Sequence, residues 1–323
     1  MIFNSGGSEG NNFVIKGVAF SCADSKNHII TTSVEHPSVI NTCQWLERQG
    51  FRVTYLPVDR NGIVSAEQLA AALGEKTCLV SIVAANNETG SLQPIEELAR
   101  IARDKGVLFH TDAVQAVGKI PVDVQAWGVD FLTFSGHKFH GPKGTGAVYV
   151  RKGVQIGPLI HGGKQEGGLR GGTENTLGIV GTGRAARLAA HRLNEMQDRV
   201  RRMRDRLYEG ILRIVPGAKL NGHPEKRLPN TLNVTLPGIR GESLVLELDA
   251  QGIFFSSGSA CKSGSPEPSH VLLAMGLSEE EAHCALRFSL GIENTDEQIE
   301  KTLRMLGDVI NASVNNVRFV SCR

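Results

Sequence analysis

The run Cys78-Leu-Val-Ser-Ile-Val-Ala-Ala85 is apolar almost without interruption. It is too short for a buried helix and lacks the alternation of a strand with one wet face, so it reads as a strand covered on both sides. A strand of that kind sits inside a sheet with helices packed over each face, which predicts an α/β architecture. The neighbouring segments agree. HIITTSV (28–34), RVTYLPVD (52–59), VLFHTD (107–112) and VDFLTFS (129–135) read as further strands. Between them lie helical stretches over 37–49, over 66–73 behind the capping box Ser65-Ala-Glu-Gln68, and from Pro94 to about Lys105. GAVYV (146–150) adds another strand. A glycine-rich loop at 162–172 follows, then a long helical stretch from about 176 to 213 that is expected to link two domains.

After residue 215 the pattern changes to α+β: LPNTLNVTLPG, a helix in ESLVLELDAQG, a loop over 256–269, a helix in PSHVLLAMG, the strand ALRFSL and a last helix behind the box Thr295-Asp-Glu-Gln298. The expected domains are therefore 1–185, a large mixed and mostly parallel sheet flanked by helices, and 186–323, a linker helix with a smaller α+β domain. Only Met-Ile-Phe precede the turn at Ser5-Gly6-Gly7, so the chain is expected to begin within an element. A formal net charge of +2 without any basic block argues against nucleic acid or an acidic membrane as partner and leaves a small molecule. No stretch has the length and apolarity of a membrane span, and the first residues lack a secretory pattern, which predicts a cytoplasmic protein. Six scattered cysteines without a C-x-x-C pair favour neither a disulfide framework nor a structural metal site.

In sheets of this class functional groups collect at the carboxyl ends of the strands. Four segments present polar residues there: Glu35-His36, Asn86-Asn87-Glu88, Asp112-Ala-Val-Gln115 and Ser135-Gly136-His137-Lys138. Burial at the end of so apolar a strand would disfavour the charged form of Lys138 and free its amine as a nucleophile toward carbonyls; a solvated loop lysine is the alternative. Ahead of them Ser5-Gly6-Gly7-Ser8 turns from a strand into a helix, a geometry that aims backbone N–H groups at an anion such as phosphate. A phosphate cup, a carboxylate for a protonated ring nitrogen and a lysine for a Schiff base are the three anchors of pyridoxal 5′-phosphate.

The segments Ser5-Gly-Gly-Ser-Glu9, Glu35-His-Pro37, Asn86-Asn-Glu88, Asp112-Ala-Val-Gln115, Ser135-Gly-His-Lys138, Gly171-Gly-Thr-Glu-Asn175 and Ser256-Ser-Gly-Ser-Ala-Cys261, in this order, closely resemble the cysteine desulfurases of the NifS/IscS type. The resemblance implies a pyridoxal-phosphate transferase of fold type I and a homodimer. It implies that Lys138 carries the cofactor, Asp112 meets the ring nitrogen, Gln115 the ring hydroxyl, and His36 stacks on the ring and assists proton transfer. Gly7, Ser8, Ser135 and His137 would hold the phosphate, with Thr173 reaching in from the partner chain. Asn87, beside the cofactor, and Arg287 would grip the substrate carboxylate, an ion pair within the small domain being the competing reading for Arg287. Members of the family also carry a segment ahead of the equivalent of Ile2-Phe3, so this chain is expected to be short of it.

Cys261 sits among glycines, prolines and serines, in what reads as an exposed loop. Alone it could be an idle surface thiol. The resemblance makes it the sulfur acceptor on a swinging tether, taking sulfur from L-cysteine as a persulfide and passing it to an iron–sulfur scaffold or another acceptor protein; Cys261 is also a candidate ligand for a transferred cluster, and no resident metal is expected. A selenocysteine lyase, another β-elimination on the same cofactor, and a truncated non-catalytic paralogue that serves as a binding partner are the alternatives.

Overall fold

The computed structural model describes residues 1–257 and 267–320. The chain divides into two compact units, Met1–Asn87 with Ser91–Leu193, and Glu88–Gly90 with Asn194–Arg323.

In the first unit a seven-stranded sheet runs in the order β1-β7-β6-β5-β4-β2-β3. The strands are β1 (Ile2–Asn4), β2 (His28–Thr32), β3 (Arg52–Leu56), β4 (Thr77–Val83), β5 (Leu108–Asp112), β6 (Phe131–Ser135) and β7 (Gly146–Val150). From β3 to β6 all neighbours are parallel, whereas β7 pairs antiparallel with both β6 and β1. The mixed, mostly parallel sheet expected from the apolar runs is thus present. All seven residues of β4 are buried. The helices α1 (Gly7–Cys22), α2 (Pro37–Glu47), α3 (Ala66–Ala72), α4 (Ile95–Asp104), the short α5 (Val124–Trp127) and α6 (Thr176–His191) complete the unit.

Local chemistry sets the helix ends. Ser65 caps α3 by accepting from the Gln68 backbone N–H, and Asp123 caps α5 through Gln125 and Ala126. α1 buries Phe13, Val14, Ile15 and Val18 against Ile29, Leu79, Phe131 and Val148 of the sheet. It can lie this close because position 10 is glycine: a Cβ there would meet Thr133 Cγ2 at 2.6 Å.

The long helix expected over 176–213 is interrupted. After α6 the backbone leaves helical geometry at Arg192, passes through the short turn α7 (Leu193–Glu195) and a wide turn at Met196–Val200, and resumes as α8 (Arg201–Ile214). The reason is packing: α6 buries Gly178, Thr182 and Ala185 in the first unit, while Met196, Val200, Met203, Leu207 and Ile211 belong to the core of the second.

The second unit has an antiparallel sheet in the order β10-β11-β9-β8, from β8 (Lys219–Leu220), β9 (Thr231–Thr235), β10 (Ser256–Ser257) and β11 (Ala285–Ser289). Around it lie α9 (Gly241–Asp249), α10 (His270–Ala274), α11 (Glu279–His283) and α12 (Asp296–Val320), the last opened by a reciprocal Thr295/Gln298 capping box. Leu207 and Ile211 of α8 are fully enclosed with Val234, Leu286 and Leu306, and each such side chain contributes about 1.5–3 kcal/mol by leaving water. Glu88–Gly90 belong here because Asn233 Nδ2 donates to Glu88 O, Arg227 Nη2 to Thr89 O, and Leu228 N to Gly90 O. Among the described residues no helix is long and apolar enough to cross a membrane.

Candidate active site

Parallel β2, β4, β5 and β6 end on one edge of the sheet, and there the register places Val83 beside Asp112 and Asp112 beside Thr133. Asp112 is the last residue of β5 and is 4% exposed. Its Oδ1 accepts from the Val114 backbone N–H at 2.9 Å and its Oδ2 from Asn11 Nδ2 at 2.7 Å. Burial pushes its carboxyl above the usual carboxylate range, against those two hydrogen bonds and the positive fields of His36 and Lys138. His36 and Lys138 are thus both near enough for their charges to act on Asp112.

His36 is half-buried and caps α2: its Nδ1 accepts from Ser38 N at 3.1 Å and lies 2.8 Å from Ser38 Oγ. Just before it Glu35, wholly buried, accepts from Thr32 Oγ1 at 2.7 Å and from Val83 N at 3.0 Å. Burial lifts its carboxyl to about 8, ahead of the opposing hydrogen bonds, and the charge of Asp112 adds to the rise.

Lys138 departs from the sequence expectation. It is exposed rather than buried, in the 3₁₀ turn Gly136–Phe139 at the end of β6, where Phe139 takes the buried position. In the same turn Ser135 Oγ lies 2.9 Å from His137 Nδ1. Burial, and then the charges of Lys138, Lys143 and Lys119, hold the His137 imidazolium below its ordinary range. Gln115, half-buried, accepts from Lys119 Nζ at 2.6 Å.

The turn into α1 is shaped by Gly6. Its φ of 145° lies in the region that favours glycine, and a Cβ there would stand 3.3 Å from Ser135 Oγ. No side chain caps α1, so the first-turn N–H groups beginning at Gly7 and Ser8 stay directed outward, with Ser8 exposed. Glu9 anchors the turn by accepting from Ser5 N and by pairing with Arg170 at 2.9 Å. Its burial favours the neutral acid, but these bonds outweigh it and hold the carboxyl below its usual range. Thr173 is exposed beside Ser5 and Arg170 at a cavity of about 140 Å³. Asn87 is half-buried in the turn after β4, whose backbone closes through Asn86 N to Ser91 O.

In the second unit Arg287 lies on β11 and donates to Ser256 Oγ at 3.3 Å. Cys261 lies outside the described residues. The loop expected over 256–269 has shaped ends: Ser256–Ser257 form β10 against Leu286 and Arg287, and Ser269 caps α10 while its hydroxyl donates to the Glu88 carboxylate. Among the described residues no group of three His, Cys, Asp or Glu side chains could hold a metal ion.

A model of the aminotransferase class-V family matches residues 1–302. The chain belongs to this family, among the cysteine desulfurases of the NifS/IscS type. The cysteine desulfurase IscS of Methanosarcina thermophila is 53% identical over 308 residues, 95% of this chain and 76% of that protein. The one from Clostridium botulinum strain Hall is 50% identical over 312 residues, 96% of this chain and 79% of that protein. A solved NifS-like protein superposes with a TM-score of 0.89 at 43% identity, covering 96% of this chain and 82% of the other. SspA solved in complex with cysteine gives 0.78 at 40% identity, over 91% and 82%. The resemblance carried by the motifs is borne out.

Class-V aminotransferases of this type use pyridoxal phosphate, and the residues present fit it. Asp112 is a buried carboxylate with one hydrogen bond on each oxygen and lone pairs left for a cationic donor. The uncapped start of α1 offers N–H groups to a phosphate, and Lys138 is exposed. Sequence reasoning singled out neither Asn11 nor Ser38. Pro37 after His36 is the one available signal, since a proline at the first helical position marks His36 as the cap and Ser38 as the residue that meets it. Nothing local could reveal that Asn11 reaches Asp112, 101 positions away.

Proposed function

We propose that this chain is a pyridoxal-phosphate-dependent cysteine desulfurase that converts L-cysteine to L-alanine, leaves the sulfur as a persulfide on Cys261 and supplies it to iron–sulfur cluster assembly. The observation that carries the reading is the enclosed Asp112 carboxylate at the end of β5, in the fields of His36 and Lys138, in a chain about half identical to proteins named cysteine desulfurase.

Bound here, the cofactor supplies an electron sink for the bonds around the substrate α-carbon. Asp112 holds a proton on the ring nitrogen. Gln115 meets the ring hydroxyl, and His36 lies on the ring face and assists proton transfer. Gly7, Ser8, Ser135 and His137 hold the phosphate, joined by Thr173 of a second copy in a homodimer. Lys138 anchors the cofactor through its amine and moves the proton at the α-carbon. Asn87, which also borders the cofactor, and Arg287 hold the substrate carboxylate, a guanidinium fork matching its two oxygens.

The Cys261 thiolate forms a sulfur–sulfur bond to the substrate. The Cβ–S bond breaks with its electron pair left on carbon, and that carbon takes up a proton to give alanine. An acceptor protein then takes the terminal sulfur. Support for the dimer comes from α6, where Leu177 and Val180 stand 87% and 72% exposed. The unbridged Cys22, Cys43, Cys78 and Cys284 suit a reducing compartment such as the cytoplasm.

The test is covalent trapping. Borohydride reduction of the holoprotein followed by peptide mapping is expected to find the pyridoxyl group on Lys138, and Lys138→Ala to abolish alanine formation. A label on Lys119 or Lys143, or turnover by the variant, refutes the assignment.

A further inference from the structure

Asn11 and Ser38 lie between the two groups that the reading above puts on the cofactor ring. Asn11, on α1, is 1% exposed, and its amide nitrogen donates twice: to Asp112 Oδ2 at 2.7 Å and to Ser38 Oγ at 2.9 Å. Chemistry fixes the orientation of the amide, because the reverse one would set its oxygen against a carboxylate oxygen. With Ser38 Oγ accepting from Asn11, the hydroxyl proton is left for His36 Nδ1, 2.8 Å away. The Ser38 backbone N–H, a donor under all conditions, points at the same Nδ1 from 3.1 Å. Pro37 has no N–H, so Ser38 supplies the first backbone donor of α2. Two donors converge on Nδ1, which must carry a lone pair, and the proton of neutral His36 is left on Nε2.

We propose that Asn11 and Ser38 are a positioning pair that locks Asp112 and His36 into one hydrogen-bonded unit and holds neutral His36 as its Nε2–H tautomer. The proposal rests on the reading that Asp112 and His36 both face the ring. A single amide then sets the carboxylate at the ring's edge and the imidazole at its face, so that neither shifts without the other. Ser38 is the adapter, since its hydroxyl can accept from one side and donate to the other.

The experiment uses the holoprotein with ¹⁵N-labelled histidine, and His36→Gln identifies the His36 ring signals. Without cysteine present, the wild type is expected to show an unprotonated, hydrogen-bonded Nδ1 and a protonated Nε2. Ser38→Thr and Ser38→Val have nearly the same shape and differ by the hydroxyl alone. Thr is expected to preserve the ring signals and to keep kcat within about twofold. Val is expected to move the Nδ1 signal and to lower kcat about tenfold, the equivalent of one hydrogen bond. Asn11→Ala is expected to weaken pyridoxal phosphate binding about tenfold and to cost much less in the Ser38→Val background than in the wild type.

A protonated Nδ1 in the wild type, identical behaviour of the Thr and Val variants, or independent multiplying effects of Asn11→Ala and Ser38→Val would overturn the pair. If Asn11→Ala does not fold, the Thr and Val comparison decides alone. A wild type that binds cofactor but fails to turn over cysteine would sink the desulfurase reading and leave the tautomer measurement standing.

Discussion

Replacing Glu35 by Gln should make the protein more stable at alkaline pH and leave it nearly unchanged in mild acid. Glu35 is enclosed completely, with Thr32 Oγ1 and Val83 N donating to one of its oxygens. Its carboxyl titrates at about 8 in the folded protein and near its ordinary 4.5 in the unfolded chain. Between those values the unfolded chain has released the proton while the folded protein keeps it. Folding then takes up a proton, and stability falls as pH rises from 4.5 toward 8, levelling off on either side. At about 1.4 kcal/mol for each pH unit of that span, the loss has a ceiling of about 5 kcal/mol, and relaxation around the charge brings it to about 2–4 kcal/mol. Gln keeps the acceptor oxygen for both donors and does not titrate. Thermal and urea unfolding of the two proteins at about pH 5 and about pH 9 provides the assay, and the quantity read is the difference between their pH dependences, in which the titrating groups that do not interact with Glu35 cancel. Parallel curves for the two proteins would refute the reasoning and show that folding does not raise the Glu35 carboxyl.

Two further outcomes follow from the site. Cys261→Ser should retain cofactor and bind cysteine but stop release of alanine and sulfide, because a hydroxyl of similar size lacks the nucleophilicity of a thiolate toward sulfur; full activity with cysteine would mean that another thiol is the acceptor. Gly6→Ala forces a side chain into the positive-φ turn, 3.3 Å from Ser135 Oγ, and should cost about 1–3 kcal/mol in stability together with weaker cofactor binding; an unchanged melting temperature would show that the turn relaxes freely.

Hydrophobic patterning and turn chemistry act over a few residues, and what they control could be read along the chain. The buried run that became β4, the strand ending at Asp112, the cap at Ser65 and the box at Thr295 are of this kind. So are the motifs carrying Lys138, Asp112 and His36, because each combines a strand end with the polar residues directly after it. Features that depend on which surfaces meet in space could not be read that way. The expected helix over 176–213 breaks near Arg192 because its two halves feed different cores. Lys138 is exposed where its apolar strand suggested burial, and Phe139 takes the buried position of that tight turn. Asn11 lies on a helix surface with no local signature, and only the packing of α1 against the ends of β5 and α2 brings its amide to Asp112 and Ser38. Periodicity assigns a residue to a face of its own element; the partner across that face is chosen by the fold.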